Sequence, residues 1–109
     1  MKLSELVKYL DNESSLEKLY QERNLDNKSE SILAYMKDEL SIGSHIYFFP
    51  VEDTDDELKI EREGICYYQL FPLELGVEFY SYFIDEFETG KYSESDKAER
   101  LLKYVINDA

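Results

Sequence analysis

The sequence has no tryptophan, one cysteine, one histidine, two prolines and four glycines. Its single thiol, Cys66, cannot close an internal disulfide, which points to a reducing cytoplasm rather than a disulfide-stapled scaffold. The few prolines and glycines form no linker, and no repeat or low-complexity tract divides the chain. Residues 1–109 are therefore read as one domain. No apolar run approaches the ~18 residues of a membrane span. The opening "MKLSELVKYLDNE" is interrupted by charges, so it reads as neither a span nor a signal peptide.

Catalytic material is equally sparse. Hydrolysis or phosphoryl transfer needs a nucleophile beside a base, a metal cluster or a phosphate loop. The chain has no Walker loop, GxGxxG, GxSxG or zinc spacing. His45 reads as a strand-end histidine and Cys66 as a buried structural thiol, not as a reacting pair. We expect no enzymatic activity, no cofactor and no resident metal.

Cations are scarce as well: 12 lysines and arginines stand against 25 aspartates and glutamates, a net charge of −13. That balance disfavours direct contact with nucleic acid or anionic membrane and favours a basic protein partner. It also predicts a monomer or weak dimer, since self-association brings like charges together. Hydrophobic residues at 43% and aromatics at 15% are enough for a folded core despite the charge.

The excess is local. Residues 44–90 hold 12 acidic and 2 basic side chains, net −10, together with all six phenylalanines and five of the ten tyrosines. The densest stretch, "DTDDELKIEREG" at 53–64, carries six acidic and two basic residues in twelve. Asp53, Asp55 and Glu57 alternate as in a calcium loop, but the sixth place holds Leu58 instead of glycine and the twelfth holds Gly64 instead of glutamate. That excludes an EF-hand.

Periodicity predicts an α+β fold: N-terminal helices, a three-stranded antiparallel meander and two C-terminal helices packed on the sheet. Leu3, Leu6, Val7 and Leu10 form a helical stripe. Ser14 with Glu17 suggests a capping box for a second helix, and residues 24–28 form a polar break. "SESILAYMKDELSIG" reads as a third helix, with Ile32, Leu33, Met36 and Leu40 inward and Gly43 ending it. "SHIYFFPVE" reads as an edge strand because of Pro50. "ELKIERE" alternates with Leu58 and Ile60 inward, Glu63-Gly64 is a turn, and "ICYYQL" is the next strand; one face of this sheet is expected to be solvated. "PLELGVEFYSYFIDEFETG" reads as one helix with Pro72 in its first turn and Leu73, Val77, Tyr80, Ile84 and Phe87 on its buried face. Ser93 and Asp96 cap the last helix, whose buried stripe is Ala98, Leu101, Leu102 and Val105.

Two features of the acidic middle run against local helix rules. Glu74, Glu78 and Asp85 share one angular stripe with Tyr82 beside them, and such like-charge neighbours cost about 0.2–0.5 kcal/mol per pair. Asp85, Glu86 and Glu88 crowd the end of the helix where the macrodipole disfavours anions by about 0.3–1 kcal/mol each. Broken rules in a cluster suggest a site. The candidate partner-binding residues are Asp53, Asp55, Asp56, Glu57, Glu61, Glu74, Glu78 and Asp85, with Tyr82 as an aromatic anchor.

The tail "FIDEFETGKYSESDKAERLLKYVINDA" resembles the C-terminal end of small bacterial immunity proteins of contact-dependent inhibition and related polymorphic toxin systems. There a helix, a Gly-Lys turn and a capped final helix recur. The resemblance covers about the last quarter of the chain and transfers no binding residue. It implies a cytoplasmic protein that neutralises a cognate toxin, with a basic nuclease domain as the expected partner. A phage-encoded nucleic-acid-mimicking inhibitor of the anti-CRISPR type and a small acidic adaptor share the same size and charge.

Overall fold

The computed structural model describes residues 1–25 and 28–107. The middle of the expected polar break and the last two residues of the quoted tail lie outside them. Among the described residues, the fold is α+β, with six α-helices and one four-stranded antiparallel sheet.

Helix α1 (Leu3–Leu6) runs into a 3₁₀ turn at Val7–Tyr9, and Leu3, Leu6, Val7 and Leu10 are all buried. Helix α2 (Glu13–Glu22) is capped by Asn12, whose Oδ1 accepts from the Ser15 amide at 2.8 Å. The cap is therefore Asn12 and not Ser14; asparagine is at least as good an acceptor there.

The largest departure from the periodicity is the third expected helix. Its centre is strand β1 (Ile32–Lys37), which lies inside the sheet order β2-β1-β4-β3. Ile32 to Met36 are buried without a break. An interior strand covered on both faces carries apolar residues at every position, so the period of two that would reveal it is absent. Ile32, Ala34 and Met36 face the helices, whereas Leu33 and Tyr35 face the other way.

Strand β2 (Ile46–Pro50) is an edge strand, as Pro50 suggested. The short helix α3 (Val51–Thr54) follows it, and then β3 (Lys59–Arg62) and β4 (Ile65–Pro72) form a hairpin. Glu63 and Gly64 both take positive φ, 53° and 78°, the backbone of a two-residue type I′ turn. The three strands read from the sequence are not a meander, because β1 lies between β2 and β4.

The pairing of β1 with β4 shifts register between Ala34 and Tyr35, so Ala34 faces Phe71 while Tyr35 faces Gln69. Leu70 is the extra residue of this bulge. Leu70 and Phe71, adjacent in sequence, consequently enter the same helix-side core.

Pro72 is the N-cap of helix α4 (Leu73–Tyr82), not a residue of its first turn. The single long helix expected here is two, since the chain leaves helical geometry at Phe83 (φ −113°, ψ 9°) before helix α5 (Ile84–Thr89). Leu73, Tyr80 and Phe87 are buried, with Val77 and Ile84 half-buried against them. Gly76 is what lets α4 lie so close to the sheet: a Cβ there would meet Phe71 Cε1 at 2.6 Å. Helix α6 (Glu94–Asn107) has the expected capping box. The Asp96 amide donates to Ser93 Oγ, and the Ser93 amide donates to Asp96 Oδ2, both at 3.1 Å.

The second sheet face is not solvated. Leu33, Tyr35, Ile60 and Tyr67 are buried there, with Phe49, Val51 and Ile65 packed on them. What covers this smaller core is α3 and the acidic segment that follows it.

Candidate partner-binding surface

All nine candidate residues are exposed, but the fold divides them between two places. The first is the cover of the second sheet face. Asp53 lies in the first turn of α3, and Asp55 and Asp56 both adopt left-handed backbone (φ 52° and 57°). Aspartate tolerates that conformation better than most residues, so part of the aspartate content here has a conformational cause.

The backbone of this segment is held at several points. Buried Tyr35 donates its hydroxyl to the Glu57 carbonyl at 2.6 Å, and Gln69 Nε2 donates to the same carbonyl at 3.2 Å and to Asp56 Oδ1 at 3.2 Å. Arg62 Nη2 donates to the Asp53 carbonyl at 2.6 Å. The Asp56 amide reaches the hydroxyl of buried Thr54 at 3.3 Å. All of these bonds but the one to Asp56 Oδ1 hold the main chain, and Asp53, Asp55, Asp56 and Glu57 are all exposed. Glu61 projects from β3, the other edge strand.

Leu58 corrects the sequence reading most clearly. It was expected in the core beside Ile60, yet it is 76% exposed, while Ile60 is buried. The second face next to Leu58 is occupied by the polar knot of Tyr35, Glu57 and Gln69, which leaves no apolar slot for it.

The second place is α4. Glu74 Oε2 accepts from Ser31 Oγ at 3.2 Å, and Glu78 Oε1 accepts from the Tyr82 hydroxyl at 2.8 Å. That bond to Glu78 raises the Tyr82 phenol above its ordinary pKa. Tyr82 is 54% exposed, with its ring against Phe79 and Tyr104 at centroid distances of 6.1 and 6.0 Å.

Asp85 does not extend this stripe as an unbroken helix would. The break at Phe83 resets the angular register, and Asp85 and Glu86 fall in the first turn of α5. At that end the dipole favours anions, so the apparent violation disappears for both residues. Glu86 is also paired, with Arg100 Nε at 3.3 Å and the Tyr92 hydroxyl at 2.9 Å.

Among the described residues, none of the eight candidate carboxylates forms an ion pair. Tyrosine hydroxyls bond three carboxylates, one of which, Glu86, also has its Arg100 partner. Tyr9 donates to Glu22 and Tyr92 to Glu86, as Tyr82 does to Glu78, and each phenol is raised first of all by that bond. Tyr20 is raised to about 12, chiefly by burial, with Glu74 adding to it.

His45 and Cys66 do not meet. The Lys37 amide bonds the His45 carbonyl on one side of β1 and the Asp38 amide bonds the Cys66 carbonyl on the other. That sets the two backbones about 10 Å apart, two strand spacings. Cys66 is half-buried rather than buried. Among the described residues, no group of three His, Cys, Asp or Glu side chains is arranged to hold a metal ion, and no helix is long and apolar enough to cross a membrane. No known protein family, curated protein or solved structure matches the chain.

Proposed function

We propose that the protein is an immunity protein, which binds and neutralises a cognate bacterial toxin, a basic nuclease domain, through its acidic surface. The observation that carries this reading is a set of exposed carboxylates with no ion pair among the described residues, those at 53–57 on a main chain pinned from beneath. Stability alone gives no reason to leave so much like charge uncompensated. A preorganised acidic surface loses little freedom on binding and accelerates encounter with a cationic cleft. A nuclease cleft is cationic because it binds phosphates, and covering it with carboxylates blocks the substrate by occupying its charge.

Two charge-neutralised variants test this against a basic nuclease toxin that the unaltered protein neutralises. One carries Asp55→Asn, Asp56→Asn and Glu57→Gln; the other carries Glu74→Gln, Glu78→Gln and Asp85→Asn. Asparagine tolerates the left-handed backbone at 55 and 56, so both variants should stay folded. At least one should bind the toxin 30-fold or more weakly and fail to protect cells that express it. Full affinity and protection from both variants would assign the acidity to the surface's solvation alone.

A further inference from the structure

The acidic stretch at 53–64 holds two cations, Lys59 and Arg62, and among the described residues neither is ion-paired with a carboxylate. Lys59 lies over the ring of Tyr68, 5.7 Å from its centroid. Arg62 is exposed, yet its guanidinium is directed at main chain. Nη2 donates to the Asp53 carbonyl at 2.6 Å and Nη1 to the Glu61 carbonyl at 3.0 Å. Both are carbonyls that the fold leaves over. Asp53 belongs to the four-residue helix α3, too short to satisfy its last carbonyls internally. Glu61 belongs to the edge strand β3. The Gln69 amide bonds the Leu58 carbonyl, and ladder bonds alternate, so Ile60 and Arg62 turn their main chain to β4 and Glu61 turns away from it.

One forked side chain thus satisfies a helix end and an open strand edge, and ties each to the other. The remaining fastenings of the segment lie on either side of this tie. Upstream, Glu52 Oε1 accepts from Ser29 Oγ at 2.8 Å; downstream, the Glu57 carbonyl takes the Tyr35 hydroxyl. Between them come Asp53 and the two left-handed residues Asp55 and Asp56. Arg62 joins this middle part to the β3–β4 hairpin, from which Glu61 projects.

We infer that Arg62 is a positioning residue of the acidic surface: it clasps the segment to the hairpin edge and so fixes the carboxylates at 53–57 relative to Glu61. The clasp itself is a property of the free protein; its effect on recognition rests on the proposed basic partner. The sign of that effect separates it from a charge effect. Removing Arg62 makes the surface one unit more negative, so charge alone would speed capture of a cationic partner and tighten the complex. Loss of preorganisation weakens the complex instead, because the segment must then be ordered on binding.

The test compares Arg62→Gln and Arg62→Lys with the unaltered chain. In the free protein, hydrogen exchange of the Asp55 and Glu57 amides should accelerate about tenfold or more in Arg62→Gln. Exchange of the Lys37 amide, bonded to the His45 carbonyl inside the sheet, should not change. Against a basic nuclease toxin that the unaltered protein neutralises, Arg62→Gln should associate at least as fast and dissociate about 30-fold faster, a net loss of affinity. Arg62→Lys keeps the charge without the fork and should recover only part of that loss. Unchanged exchange in Arg62→Gln would overturn the clasp, and weaker binding alongside it would make Arg62 a direct contact of the toxin. Full affinity in Arg62→Gln, or full recovery by Arg62→Lys, would overturn the positioning role in favour of charge alone. Full toxin affinity and protection in both charge-neutralised variants would sink the immunity reading by itself, and the exchange rates would still decide the clasp.

Discussion

Tyr35→Ala is expected to lower the unfolding free energy by about 3–5 kcal/mol. Tyr35 has no exposed surface, packs edge-on against Phe49 at 5.5 Å and forms part of the floor of the second core. Its hydroxyl is also what ties the acidic segment to the sheet. Tyr35→Phe separates the two contributions. It keeps the ring and leaves the Glu57 carbonyl with the Gln69 amide alone, so the loss should be about 1–3 kcal/mol. Against a typical total of about 5–15 kcal/mol, either value is easily resolved by urea denaturation at unchanged m-value. Exchange of the Asp55 and Glu57 amides, which bond the Val51 and Thr54 carbonyls, should accelerate in Tyr35→Phe before that of the helix-side core. A loss under about 1 kcal/mol for Tyr35→Ala would mean that the second face is not the packed layer described above.

The second large effect separates core from surface on a single helix. Leu101 and Ile106 both lie on α6, yet Leu101 is wholly buried in the core that α6 shares with α1, and Ile106 is 53% exposed. Leu101→Ala should cost about 2–5 kcal/mol, and Ile106→Ala should stay within about 0.5 kcal/mol. In a domain of this size the first corresponds to a fall in melting temperature of roughly 10–25 °C. Comparable losses at the two positions would show that Ile106 supports the fold.

The elements that could be read from the sequence are those whose local pattern survives burial. The stripe at Leu3, Leu6, Val7 and Leu10, the box at Ser93 and Asp96, the turn at Glu63-Gly64 and the edge position of Pro50 all leave a local signature. Strand β1 does not, because burial on both faces erases its alternation, and Ile32 and Met36 happen to fall one helical turn apart. Missing β1 also misplaced the neighbours of β2 and β4. The break at Phe83 carries no proline or glycine to announce it, so Asp85 was assigned to the wrong end of a helix. Exposure of all nine candidate residues followed from their polarity. The cavity lined by Leu58, Leu75 and Ile106 did not, since tertiary structure brings them together and Leu58 alternates as a core residue would.

The pairing of carboxylates with tyrosine hydroxyls at Glu22, Glu78 and Glu86 has a consequence for ionic strength. Dissolved ions screen attraction between full charges far more than they weaken a hydrogen bond from a neutral phenol. A chain of net charge −13 held together in this way gives added salt few attractions to screen and much repulsion to relieve. Its folding stability should therefore rise between about 20 and 500 mM sodium chloride, a range over which the Debye length falls from roughly 20 Å to roughly 4 Å. Capture of the proposed cationic partner would rely on the same field and should slow over that range. The free protein would be sturdiest where its complex forms most slowly.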